Sequence, residues 1–377
     1  MSKDTDPLEI VNKTNKTNKS DKSDKSDKSD KSDKSERLYC NINNKNSLSF
    51  TCFSKNDIFE LISIYNSDIA NMNNKRNSKP IKINNSELYP TINIRDSQNR
   101  EKSIKLVYNE LKKNLSKYKK NNNKEYCWLK LSAFKKKFIS SDNLFVPEMP
   151  TEWCSNITKW RESLIDAPWL SNYDIDNIVE QYEEKYKAFK FLGSTPIDFR
   201  KKKYNKCILN IFNDDSNKNK WLKNTNPNNE YCDYNPIGYK NKHCFGVVFN
   251  TDKHDGGGRH WMSLYINTKT KVILFFDSAV TYSHLHPEIK SFIENIQKQY
   301  KNIKFTFKYN NIQHQQSNSE CGMYSIYFIL TMLDADESDE FNSLDMFDSY
   351  FNSSEKTVSD KLMVLYRTKI FRSECDC

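Results

Sequence analysis

One cysteine in this sequence has a setting that suits a nucleophile. Cys321 follows the polar stretch Gln315-Gln316-Ser317-Asn318-Ser319-Glu320 and precedes Gly322, Met323, Tyr324 and an almost wholly apolar run over 325–333. That run predicts a buried helix starting at the cysteine, where unpaired backbone N–H groups and the helix dipole favour a sulfur anion. Upstream, Gly256-Gly257-Gly258-Arg259-His260-Trp261 leads into an apolar strand pattern, so His260 follows a flexible loop and is the candidate base. The apolar run 272–276 ends at Asp277, the candidate group to orient the imidazole. A buried cysteine or a satisfied histidine is ordinary when taken singly. The combination is not, because base, acid and nucleophile each stand at the end of an element, where side chains can face one cleft.

Gln315 or Gln316 could donate a side-chain amide to a developing oxyanion, together with the backbone N–H of Cys321. Glu320, next to the nucleophile, is expected to favour the positive end of the helix rather than to act as the catalytic acid. Residues 256–258 hold three of the seven glycines in the chain, which points to unusual backbone angles or a close approach beside the base. They lack the spacing of a phosphate-binding loop. His254, six residues before His260, and His284 and His286 downstream offer a weak metal-site alternative, and no metal or cofactor is expected.

Positioning these residues requires strands and helices in mixed order. Strand-like runs cover 208–212, 244–249, 261–266, 272–276 and 304–309, while 189–199 is apolar and broken by Pro196. Trp169-Leu170-Ser171 with Ile175, Ile178, Val179 and Tyr182 predicts a capped helix. Pro287 opens another, with Ile289, Phe292, Ile293, Ile296 and Tyr300 on one face. The fold class is therefore α+β, a central helix packed on a sheet.

The chain divides by texture into a tail over 1–37, a helical N-terminal region over 38–150 and a catalytic domain over 151–377. Residues 13–36 carry no apolar side chain and are expected to be disordered. In 38–150, Ser54 caps a predicted helix bearing Ile58, Leu61, Ile62 and Tyr65. Ile104, Val107, Tyr108, Leu111 and Leu115 mark a second, with Asn-rich stretches as loops.

Lys and Arg number 59 against 49 Asp and Glu, a net charge of +10, and the first 36 residues contribute none of the excess. The basic clusters are Lys112, Lys113, Lys117, Lys119, Lys120 and Lys124, then Lys135 to Lys137, then Arg200 to Lys203. Such clusters either solvate a helix face or meet a polyanion, and contact with nucleic acid through the basic N-terminal region stays open. Ten cysteines form no CxxC pair, which argues against a zinc ribbon. No run is apolar enough to span a bilayer, so a soluble, intracellular chain with reduced thiols and no membrane partner is expected. Cys375 and Cys377 are expected to be tail thiols.

His260-Trp261, Phe276-Asp277-Ser278 and Gln315 with Cys321-Gly322 resemble the SUMO-protease (ubiquitin-like-protein protease) and adenovirus-protease superfamily of cysteine peptidases, whose order is His, Asp or Asn, Gln, Cys. Asn250-Thr251-Asp252 before the glycine loop and His314-Gln315 before the cysteine are similar to its large-DNA-virus branch. So are Val358-Ser359-Asp360, Met363, Tyr366-Arg367 and Ile370-Phe371-Arg372 near the C-terminus. The resemblance covers about residues 165–372. It implies a papain-like core and thiol proteolysis without a metal, with His260, Asp277, Cys321 and Gln315 as catalytic residues and Trp261, Gly257 and Gly258 against the substrate. The implied substrate is a viral structural polyprotein cut after Gly-Gly during maturation, in the virion and the host cytoplasm. Removal of ubiquitin or SUMO from host proteins is the alternative. Within the branch Asn is used where this chain has Asp277; either residue can support the histidine.

Overall fold

The computed structural model describes residues 40–41, 44–70, 81, 97–116, 124–135, 145–149, 167–203, 206–207, 222–223, 231, 233–234, 239, 241–281, 285–338 and 341–372. The expected disordered tail, the Asn-rich loops, the strand over 208–212, His284, Cys375 and Cys377 lie outside them, as do Lys117, Lys119, Lys120, Lys136 and Lys137 of the basic clusters. The chain separates into two compact units, one within Asn156–Arg367 and the other made of Asp21–Ser155 with Thr368–Cys377.

In the smaller unit, helix α1 (Lys55–Ile64) starts at a capping box. Ser54 Oγ accepts from the Asp57 N–H while the Asp57 carboxylate accepts from the Ser54 N–H. Its Ile58, Leu61 and Ile62 are buried with Ile104, Tyr108, Leu111 and Leu115 of helix α2 (Ser97–Ser116), in the two stripes read from the sequence. Phe53 and Trp128 stack at 6.0 Å within this cluster. The expectation of reduced thiols fails here, since Cys40 and Cys52 form a disulfide and Cys127 is also disulfide-bonded. A turn through Asn44 brings Cys40 and Cys52 to a Cα separation of 5.1 Å, and no spacing rule in the sequence reports that proximity.

The larger unit is α+β, as expected, a mixed sheet with helices against it. Its five strands are β1 (Phe189–Pro196), β2 (Cys244–Asn250), β3 (Trp261–Asn267), β4 (Val272–Phe276) and β5 (Thr306–Tyr309), in spatial order β1-β2-β3-β4-β5. β1 and β2 are parallel, β2, β3 and β4 antiparallel, and β4 and β5 parallel. Helix α3 (Asn172–Val179) begins at a second capping box, Ser171 with Asp174. Alternation along the strands separates two faces. Phe245, Val247, Phe249, Leu264 and Ile273 pack with Ile289, Phe292, Ile293 and Ile296 of helix α4 (Pro287–Gln299). On the other face lies helix α5 (Cys321–Asp336), buried all round through Leu333, whose Phe328 stacks on Phe276 at 5.1 Å. Gly246 permits this approach, because a Cβ there would stand 3.1 Å from Ile329. Helix α6 (Asp360–Ile370) adds Tyr366, edge-on to Tyr327 at 5.1 Å. Among the described residues, no helix is long and apolar enough to cross a membrane.

Candidate active site

Three element ends of the larger unit converge. His260 immediately precedes β3, Asp277 immediately follows β4, and antiparallel pairing of the two strands places these ends side by side, with Ser263 opposite Phe276. Cys321 is the first residue of α5, which packs across β3. The imidazole Nε2–H of His260 donates to Asp277 Oδ1 at 2.6 Å, and the Cys321 sulfur is near enough to the ring to raise its pKa. Because Nε2 is committed to the carboxylate, Nδ1 is the nitrogen for the sulfur. Cys321 is 3% exposed and not disulfide-bonded.

The charges follow from these contacts. Burial lowers the His260 pKa, but the hydrogen bonds to Asp277 and Cys321 and the charges on both outweigh it and lift the pKa to about 9. Burial raises that of Asp277, yet His260 and the backbone N–H groups of Thr281 and Ala279 hold the carboxyl below its ordinary range. Those N–H groups donate to Oδ2 and Oδ1 at 2.7 and 3.0 Å. The turn they close places Val280 at φ 49°, a strained setting for a β-branched residue.

Gln315 is buried. Its Oε1 accepts from Ser278 Oγ at 2.7 Å, and one amide proton goes to the Ser317 carbonyl at 2.6 Å. Gln316 is exposed and meets Asp360 only through its backbone N–H among the described residues. Of the two glutamines left open by the sequence, Gln315 is thus the one fixed beside Ser278.

Cys321, Trp261, Gly257 and Gly258 line an open cleft of about 450 Å³, together with Trp169, Leu170 and His254. The indole N–H of Trp261 donates to the Leu170 carbonyl at 2.9 Å. Gly258 has φ 80°, the left-handed region that favours glycine, and its N–H donates to Asp252 Oδ2. Nothing lies within 4 Å of where a Cβ on Gly257 would point, so that edge of the loop is open. His254 is held through its backbone N–H and Nδ1 by the buried Asp198, and His286 accepts from the Glu288 N–H at the start of α4. No cluster of three metal-ligating side chains occurs among the described residues.

The expectation for Glu320 is corrected. Its carboxylate makes no capping hydrogen bond and pairs instead with the buried Arg367 of α6 at 2.9 Å. Sequence reading also missed Asn310. Its Oδ1 accepts from the Asp277 N–H at 2.9 Å, and its Nδ2 donates to the Asp277 carbonyl at 2.8 Å. Asp360 went unnoticed as a partner as well; its Oδ2 accepts from the N–H groups of Gln316 and Ser317, and its Oδ1 from Tyr324. These contacts join residues 33 to 44 positions apart, and no local pattern marks them.

Viral proteases are similar to this chain in sequence. A thiol protease of Acanthamoeba polyphaga mimivirus is 26% identical over 177 residues, 46% of this chain and 51% of that protein. The SUMO-1 cysteine protease of African swine fever virus is 28% identical over 210 residues, 54% of this chain and 67% of that protein. The chain is similar to viral cysteine proteases. The family resemblance read from the His-Trp and Gln-to-Cys motifs is thereby borne out. The chain spans about half the length of the mimivirus relative. A crystal structure of the swine fever virus protease aligns with 89% of this chain and 96% of that one, at 20% identity and a TM-score of 0.46. The family model of the YopJ serine/threonine acetyltransferases matches residues 201–357.

Proposed function

We propose that this chain is a cysteine endopeptidase in which Cys321 is the nucleophile, His260 the base and Asp277 the orienting acid. The observation that carries the reading is a histidine ring held between a buried carboxylate and a thiol at the start of a buried helix, with that thiol open to a cleft. The sulfur gives its proton to His260 Nδ1 and attacks the peptide carbonyl. The Cys321 N–H and the second amide proton of Gln315 are the donors for the oxyanion. His260 returns the proton to the leaving amine, and water then releases the acyl group from the sulfur.

The substrate in this reading is a viral structural polyprotein cut after Gly-Gly during virion maturation, with Trp261, Gly257 and Gly258 admitting only a slim chain. The site acts on ubiquitin or SUMO conjugates in the alternative. Gly-Gly-X peptides and ubiquitin- or SUMO-vinylsulfone probes separate the two, since only the alternative predicts labelling of Cys321 by the probes. Cys321→Ala is expected to lower peptide cleavage by at least about a thousandfold; cleavage at the wild-type rate would overturn the assignment.

The acetyltransferase match favours a second reading, in which the same thiol takes an acetyl group from a thioester and passes it to a hydroxyl. Radiolabelled acetyl-coenzyme A decides between them. Label transferred to protein with no peptide hydrolysis would replace proteolysis by acyl transfer.

A further inference from the structure

Two charged side chains that the chemistry above does not use lie beside the nucleophile. Arg367 grips Glu320 Oε2 through Nη2 at 2.9 Å and Nε at 3.3 Å, and the side chains are 0% and 1% exposed. A buried ion pair seldom adds stability over well-packed apolar side chains, so stability alone is a poor reason for one at this place. Glu320 is the residue from which α5 starts, one position before Cys321. A carboxylate there ordinarily puts its charge at the positive end of the helix. Here it makes no capping hydrogen bond, and its Oε1 finds no hydrogen-bond partner among the described residues. The side chain is drawn toward α6, and the N–H groups of the first turn of α5 are not taken by it.

We infer that Arg367 is a positioning residue. By withdrawing and neutralising the Glu320 carboxylate, it leaves the positive end of α5 to the sulfur and the developing oxyanion. Burial pushes the Glu320 carboxyl above its ordinary range and Arg367 pulls it back; without Arg367, the charge that the carboxylate keeps would sit one residue from Cys321 and oppose both. The inference rests on Cys321 being the nucleophile.

The test compares Arg367→Met, Glu320→Gln and the double variant in the full chain, by kcat and KM on a Gly-Gly-X peptide, Cys321 alkylation by iodoacetamide and thermal unfolding. Both single variants are expected to melt earlier, because each strands a buried partner. Only Arg367→Met should lose kcat, roughly tenfold at unchanged KM, with slower alkylation. Glu320→Gln should keep kcat within about twofold, and the double variant should recover most of it. Should Arg367→Met fail to fold, Arg367→Lys, which keeps the charge and loses the two-pronged grip, is expected to lie between it and wild type in kcat. Equal losses of kcat in the two single variants, or no recovery in the double, would make the pair purely structural and leave the proteolytic reading intact. Cleavage that survives Cys321→Ala would instead remove the proteolytic reading.

Discussion

The imidazole of His260 sits where two attractions exceed the cost of burial, and the consequence is measurable. The interactions that favour its charged form stabilise the fold fully below the ordinary value of 6.5 and are lost as pH rises through about 9. Asp277, held below its ordinary 3.8, contributes above that range and loses its share only on acidification. Both contributions are present together from roughly pH 4 to 6.5. Asp277→Asn is therefore expected to destabilise more at about pH 6 than at about pH 10 in urea unfolding. A penalty independent of pH would show that the charges are not coupled. Ring titration by NMR gives a second check: Asp277→Asn and Cys321→Ala should each bring the His260 pKa below about 9, the former by more, because the Asp277 contact is the larger of the two. The three central residues were legible because each stands where an apolar run begins or ends. Asn310, Asp360 and Arg367 were not, because their work is done on partners far away in sequence and leaves no periodicity behind.

Elements hold these residues through close approaches that glycine permits. A Cβ on Gly322 would fall 2.9 Å from Leu170 Cβ, and Leu170 is tied by its carbonyl to the Trp261 indole. Alanine is the better helix former by about 1 kcal/mol, yet the clash is with the stem of a side chain on a tethered loop. Gly322→Ala should therefore destabilise, by about 1–3 kcal/mol, and raise KM as Trp261 shifts in the cleft. A higher melting temperature would mean that the 167–170 segment yields freely. At this scale the sequence was readable wherever patterns were local: the capped starts of α1 and α3, Pro287 at the first turn of α4 and the apolar faces of α1, α2 and α4. The apolar stretch containing Pro196 did not announce β1. That strand is buried on both faces except at Lys190 and Pro196, so it lacks the alternation that marks a half-buried strand.

For the molecule as a whole, the two units reach stability by different means. The larger buries a sheet between helices, and its cysteines 244 and 321 stay free. The smaller, among its described residues, packs helices around an aromatic cluster and carries a covalent link from Cys40 to Cys52 beside it. The Cys52 N–H donates to the buried Glu125 carboxylate at 2.9 Å, and Asn44 Nδ2 donates to the Cys52 carbonyl, so the link closes on a segment already held by polar contacts. Cross-linking residues 12 apart is worth about 3 kcal/mol through the entropy it removes from the unfolded chain. Cys40→Ser is therefore expected to lower the melting temperature of the smaller unit and to speed its proteolysis, and reductant should do the same to wild type. Mass spectrometry after alkylation decides the matter: Cys40 and Cys52 should resist iodoacetamide until a reductant is added. Rapid labelling of both without reductant, with no change in melting when it is supplied, would show that this unit stands on its aromatic core alone.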